Sequence, residues 1–71
     1  MASEVLSEVT GTVWKVEMAV GDAVRTGDVI MILESMKMEI PIEAPSDGTL
    51  SAIHVAPEQS VQEDQLLATV E

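Results

Sequence analysis

Residues 34–39 read Glu-Ser-Met-Lys-Met-Glu and join two apolar segments, and this junction decides how the chain can fold. Before it, residues 29–33 read Val-Ile-Met-Ile-Leu, a β-rich apolar run that fits a strand buried on both faces. After it, residues 38–42 alternate between apolar and polar side chains, the period of a half-buried strand. Strands this close in sequence form a hairpin, so the sequence predicts a tight turn with Lys37 at its tip.

The rest of the chain predicts further short strands and no helix. Residues 14–20 alternate between apolar and polar side chains, and apolar positions recur over residues 50–55 and 66–70. Turn signals rich in Gly, Asp, Pro and Ser separate these segments, most densely at residues 44–48. No window shows a convincing helical stripe. The sequence therefore predicts an all-β protein of short strands.

The two halves of the chain repeat each other. A shift of 37 positions lays Gly11 on Gly48 and matches apolar positions with apolar positions, without a gap. The shift maps residues 1–34 onto residues 38–71 and leaves residues 35–37 as a bridge. If a two-fold axis relates the halves, the two termini should meet at the end of the molecule opposite the bridge.

The halves differ in the residues of their turns. Gly21 corresponds to Glu58 under the same shift. Glycine adopts a positive φ without steric cost, whereas glutamate does so poorly. We therefore expect the turn at Pro57-Glu58 to follow a different backbone path from its counterpart at Val20-Gly21.

Length and composition predict one small domain over residues 1–71. A chain of this length has a modest core, and without cysteines it cannot use disulfides or a thiolate metal site. Its longest apolar run, residues 29–33, is far too short to span a membrane. We see no basic, apolar signal peptide at the start, and expect a cytoplasmic protein.

The charge excludes two classes of partner. Thirteen acidic residues against three basic ones give a net charge of −10. Such a surface repels nucleic acid and anionic lipid. Most of the acids can serve solubility alone, although they can also steer the chain toward basic patches of partner enzymes. A lysine in the central turn is conspicuous in so acidic a chain.

The central stretch resembles a known family signature. Residues 34–39 are similar to the E-[AS]-M-K-M-E signature of biotinyl domains, the biotin carboxyl carrier modules. Residues 21–30 look like the glycine-aspartate hairpin of that family, and residues 44–49 like its A-P-x-x-G turn. The resemblance covers nearly the whole chain and implies a flattened β-barrel, or barrel-sandwich hybrid, of two quasi-symmetric four-stranded halves. Lys37 would lie on the central hairpin turn, and the first half has no room for the thumb insertion of some carriers.

The resemblance also implies a carrier function. A biotin protein ligase would join biotin to the Lys37 ε-amine by an amide bond. A biotin carboxylase would then load CO2 on the ureido nitrogen, and a carboxyltransferase would pass it to an acceptor. The chain would be a non-catalytic, metal-free, monomeric carrier domain or subunit of an acyl-CoA, pyruvate or urea carboxylase. Whether it is free-standing or an excised domain stays open, as does the acceptor.

The flanking residues are expected to complete the cofactor-attachment site: Glu34, Ser35, Met36, Met38 and Glu39. Only one face of a strand can be buried beside an exposed turn, so at least one of the two methionines should be exposed. An exposed, adaptable thioether suits recognition by several partners. The two glutamates either are solvated strand-end charges or contact the ligase. Elsewhere, His54 is expected to be a surface side chain, and Trp14 a packing or partly exposed ring without a ligand.

Three other functions compete with a biotin carrier. A lipoyl carrier domain of a 2-oxoacid dehydrogenase-type complex has the same fold and lysine position, but usually has Asp before the lysine and a small residue after it. Methionine on both sides of Lys37 favours biotin. An autonomous enzyme is disfavoured, because the chain has no cysteine nucleophile, second histidine, phosphate-binding glycine loop or metal-ligand cluster. A protein-interaction module would not explain the lysine motif.

Overall fold

The computed structural model describes residues 2–71, which form eight β-strands and no helix that could cross a membrane. The strands are β1 (Ser3–Leu6), β2 (Gly11–Val16), β3 (Ala23–Val24), β4 (Val29–Ser35), β5 (Met38–Glu43), β6 (Gly48–Ile53), β7 (Ser60–Val61) and β8 (Leu66–Val70). They form two four-stranded antiparallel sheets, ordered β1-β8-β6-β3 and β5-β4-β2-β7. The predicted all-β flattened barrel is confirmed.

Each sheet combines strands from both halves of the sequence. One sheet takes β1 and β3 from the first half and β6 and β8 from the second, and the other sheet takes the remaining strands. Every strand contributes at least one side chain to a single apolar core. The largest fully buried side chains are Val13, Ile30, Met31, Leu33, Leu50, Val61, Leu67 and Val70. Neither half therefore has a core of its own.

Strand β4 is not buried on both faces along its whole length, which corrects the sequence prediction. Ile30, Met31 and Leu33 are fully buried, whereas Ile32 is only half-buried. The pairing of β4 with β5 shifts register between Val29 and Met31. A bulge of this kind can turn two successive side chains to the same face, so the apolar run reflects an irregular strand on one core.

Corresponding strands and hydrogen bonds of the two halves stand 37 positions apart. Strand β2 begins at residue 11 and β6 at residue 48, and β4 begins at residue 29 and β8 at residue 66. The amide of Gly21 donates to the Leu50 carbonyl oxygen over 2.7 Å, and the amide of Glu58 donates to the Val13 carbonyl oxygen over 2.7 Å. Each turn thus bonds to the opposite half, as a two-fold repeat would require.

The turns at Gly21 and Glu58 follow the same path, so the expectation that they differ is wrong. Gly21 has a φ of 99° and Glu58 a φ of 72°. A side-chain amide oxygen of Gln59 caps the second turn at 3.1 Å from the Ala56 nitrogen, as an aspartate caps the first. A left-handed residue other than glycine costs about 1–2 kcal/mol. The hydrogen bonds that surround Glu58 outweigh this cost.

The described ends of the chain lie together, far from Lys37. Ser3 pairs with Val70 across β1 and β8, while Met1 lies outside the described residues. The Ser3 hydroxyl is 3.1 Å from that of Ser46, which follows the far end of β5. Lys37 immediately precedes the near end of β5. At about 3.3 Å per residue, this strand separates the two regions by roughly 20 Å.

The strain at Glu58 predicts a stabilising substitution. Glu58→Gly removes the left-handed cost, about 1–2 kcal/mol, and loses about 0.5–1 kcal/mol to the greater freedom of glycine in the unfolded chain. We therefore expect the free energy of unfolding, measured by urea denaturation, to rise by about 0.5–1 kcal/mol.

Gly21→Ala is the matched control in the first half. A Cβ built on Gly21 meets no atom within 4 Å, so only the φ of 99° opposes the substitution. This variant should lose about 1 kcal/mol of stability. A Glu58→Gly variant less stable than the wild type would show that the glutamate side chain stabilises its turn.

Candidate functional site

A two-residue turn closes the hairpin formed by β4 and β5. The two strands pair without interruption from Met31 to Ser35, where Ser35 lies opposite Met38. Only Met36 and Lys37 remain between the strands. Ser35 is therefore the last residue of β4, and the turn itself consists of the last two residues of the 35–37 bridge.

Both residues of the turn adopt left-handed backbone conformations. Met36 has a φ of 53° and Lys37 a φ of 66°. Positive φ at both central residues is the arrangement of type I′ turns, whose twist matches that of the flanking strands and which normally use Asn-Gly. A side chain costs about 1–2 kcal/mol at each position. Backbone strain of this kind concentrates at functional positions.

The side chains at the tip point into solvent. Lys37 is exposed, and Met36 and Met38 are 92% and 63% exposed. The expectation that at least one methionine is exposed is confirmed, because both are. The tip thus presents one amine between two flexible apolar side chains.

The loop before β2 supports the base of the hairpin. The Ser35 hydroxyl donates a hydrogen bond of 2.9 Å to the Thr10 carbonyl oxygen. The Thr10 hydroxyl in turn accepts a 3.2 Å bond from the Glu63 amide. A Cβ on Gly11 would collide with the Glu34 carbonyl oxygen, so the loop can come this close only with glycine. The sequence motif identified Ser35 but carried no signal for Thr10.

The two glutamates beside the turn lie directly opposite each other. Glu34 pairs with Glu39 across β4 and β5, and both are exposed. Like charges in opposed positions repel each other, which costs a few tenths of a kcal/mol or more. Within residues 2–71 the one ion pair joins Lys15 to Glu17 at 3.3 Å. The carboxylates at the tip, and Lys37 with them, are therefore available to a partner.

Trp14 lies on the outer face of the sheet that carries the hairpin. It is 49% exposed, at the point where the pairing of β2 with β4 shifts register. The Lys15 ammonium is 5.9 Å from the centre of its ring. The ring borders a groove of about 350 Å³, here called the Trp14 groove, whose lining residues are Thr12, Val13, Trp14, Glu34 and Glu58.

The remaining candidates from the sequence have no site around them. His54 is exposed, and its Nε2 lies 3.1 Å from the Thr69 hydroxyl. No group of three or more His, Cys, Asp or Glu side chains suited to a metal ion occurs among residues 2–71. Asp47, at the far end of the molecule, accepts hydrogen bonds from the amide and hydroxyl of Thr26, which lower the pKa of its carboxyl group.

Comparison with known proteins identifies relatives of this architecture. A family model described as biotin-requiring enzyme matches residues 1–70. A biotinylated protein homolog of Mycobacterium leprae is 39% identical over 70 residues, which cover 99% of each chain. The biotin carboxyl carrier protein of Streptococcus mutans is 48% identical over 60 residues, covering 84% of this chain and 46% of that protein.

A solved structure shows the same fold inside a much larger protein. The urea carboxylase of Kluyveromyces lactis superposes on 100% of this chain with a TM-score of 0.96 and 35% identity. The superposed part is 6% of the carboxylase chain.

The strained turn predicts a stabilising substitution at Met36. Asparagine tolerates the left-handed region better than methionine does, and the methionine side chain is almost fully exposed, so its removal loses little burial. We expect Met36→Asn to raise the free energy of unfolding by about 0.5–1 kcal/mol, measured by urea denaturation.

Met38→Asn provides the comparison at the neighbouring strand position, where φ is not positive and no such gain is expected. Equal effects of the two substitutions would show that the backbone at Met36 is not the source of the gain.

Proposed function

The chain belongs to the family of biotin-requiring attachment domains, and on this basis we propose that it is a biotin carboxyl carrier with biotin joined to Lys37. Members of this family are carriers and not catalytic units. The observation that carries the assignment to Lys37 is its position on a strained, exposed two-residue turn between two exposed methionines.

The lysine side chain fits attachment by an amide bond. Its neutral amine attacks the carboxyl carbon of an activated biotin, forms the C–N bond and releases the activating group, while its proton passes to the ligase. An exposed amine outside any ion pair of the described chain can enter a ligase active site without breaking a contact. When bound, biotin supplies a ureido nitrogen that accepts and donates a carboxyl group.

The shape of the molecule suits a swinging arm. The described ends of the chain lie beside Ser46, at the other end of β5 from Lys37, so a parent protein joined there would leave the tip free. The tether raises the effective concentration of the carried group at each active site within reach. A hairpin fixed by strand pairing, and by the bond from Ser35 to Thr10, lowers the ordering cost of each encounter.

Three enzymes would act on this tip: a biotin protein ligase, a biotin carboxylase and a carboxyltransferase. Similarity to a urea carboxylase and to a biotin carboxyl carrier protein supports the last two. The exposed side chains of Met36 and Met38 offer each of them an adaptable apolar contact. The opposed carboxylates of Glu34 and Glu39 offer a site for a basic residue of the ligase.

The same proposal includes a cytoplasmic, monomeric carrier. The absence of cysteine fits a reducing compartment, and a net charge of −10 disfavours self-association.

Biotinylation in vitro tests the assignment directly. The protein is incubated with biotin, ATP and a biotin protein ligase, and its intact mass is measured. We expect a gain of one biotinyl group, and no gain would contradict the carrier function. A parallel reaction with lipoate and a lipoate ligase should leave the mass unchanged, because Met36 and Met38 replace the Asp and the small residue usual beside a lipoyl lysine.

Lys37→Arg is the matched control, since it keeps the charge and removes the acceptor amine. This variant should gain no mass. Persistent labelling would transfer the assignment to Lys15, the other lysine, which is held by Glu17 and lies beside Trp14.

A further inference from the structure

The Trp14 groove lies on the same sheet as the attachment turn and shares a residue with its flank. Glu34 lines the groove from β4, and it precedes Lys37 by three positions in the sequence. Trp14 and Glu58 border the same groove from β2 and from the turn before β7. An enzyme that reaches Lys37 from this side would meet the exposed ring and both carboxylates.

The other half of the molecule shows that the fold requires neither Trp14 nor Glu58. Their counterparts at a shift of 37 positions are Ser51 and Gly21. Strand β6 makes the same register shift around Ser51 as β2 makes around Trp14. The turn at Gly21 likewise has the path of the turn at Glu58.

The backbone that the two halves share therefore does not require either residue. Glu58 holds a left-handed backbone that glycine would adopt without strain, as Asp64 does where the other half has Gly27, and Glu58 differs from Asp64 in lining the groove. Trp14 leaves half of a large ring in solvent, where it contributes little to the core. Both departures occur in the groove beside the attachment turn, where the opposite half has a small hydroxyl and a glycine. This difference between the halves points to a role of the groove in binding a partner protein.

The chemistry of the groove fits a cation. Its lining includes two carboxylates, one indole ring and no basic residue. The ring already has the Lys15 ammonium 5.9 Å from its centre, although Glu17 pairs with that ammonium. A guanidinium can stack on an aromatic ring and bond to carboxylates at the same time, which an ammonium cannot do in the same geometry.

We propose that the Trp14 groove receives an arginine side chain of the biotin protein ligase, stacked on Trp14 and paired with Glu34 and Glu58. This inference rests on the proposed function of Lys37. The ligase is the enzyme singled out because it acts on the lysine amine itself, one side-chain length from the turn. It must therefore dock closely, whereas the carboxylase and transferase act at the end of a longer tether.

Ligase kinetics on carrier variants test the proposal. Trp14→Ser and Glu58→Gln should each raise the KM for the carrier about threefold to tenfold, as expected for loss of a cation–π contact or a charged hydrogen bond. The kcat should stay unchanged, because neither residue touches the reacting amine. The double variant should raise KM by less than the product of the single effects, since one guanidinium contacts both residues.

Two controls separate recognition from folding and from net charge. Glu58→Gly should raise KM although it stabilises the fold, so a loss of stability cannot account for the effect. Glu43→Gln removes an exposed carboxylate at the far end of β5 and should leave KM unchanged. Wild-type KM values for both Trp14→Ser and Glu58→Gln would overturn the proposal, as would an equal effect of Glu43→Gln.

An NMR binding experiment distinguishes ligase contact at the Trp14 groove from ligase contact at Lys37. Trp14 is the one tryptophan of the chain, so ¹⁵N-labelled protein gives a single indole N–H signal. Unlabelled ligase should shift or broaden this signal even with Lys37→Arg, and an unmoved indole beside shifted turn amides would overturn the proposal. N-acetylargininamide should move the indole more than N-acetyllysinamide at equal concentration. Equal shifts would overturn the assignment to arginine.

Discussion

The exchange of backbone hydrogen bonds between the two halves is the interaction on which the rest of the structure depends. The turn at Gly21 bonds to Leu50, and the turn at Glu58 bonds to Val13. Both acceptors are fully buried residues of the central strands, so the turns tie the two sheets together through the core. The core consists mostly of Val, Ile, Leu and Met side chains, whose packing is not directional, and there is no disulfide. Directional backbone hydrogen bonds therefore determine how the two halves are placed relative to each other. On this frame, the pairing of β4 with β5 and the bond from Ser35 to Thr10 hold the attachment turn.

The repeat of strands and turns in the two halves makes it informative where their residues differ. Both halves build the same strands and turns, so the shared scaffold does not by itself require a residue that only one half carries. Ser35, Met36 and Lys37 stand outside both halves, while Trp14 and Glu58 correspond to a serine and a glycine. All five lie on the hairpin that carries the turn or on the groove that Glu34 lines beside it. The residues proposed to act on partners are thus grouped on one sheet of a frame whose strands and turns repeat.

Periodicity and the lysine motif predicted the all-β fold, the central hairpin and the exposure of at least one methionine beside Lys37. Three features could not be read from the sequence. The register shift in β4 depends on strand pairing, which a run of apolar residues does not encode. The positive φ of Glu58 is imposed by hydrogen bonds to the other half and contradicts the residue's own preference. Thr10 supports Ser35 through a backbone carbonyl, which carries no side-chain signal.

The division of each sheet between both halves has a consequence for how such a molecule could have arisen. A free segment of about 35 residues with the strands of one half would lack two strands in each sheet, and chains so short rarely hold a core alone. It could reach this fold by associating with a second copy around the two-fold axis. In the single chain, residues 35–37 connect the two halves and have no counterpart in either. The acceptor amine thus lies in the short bridge that two separate halves would not contain.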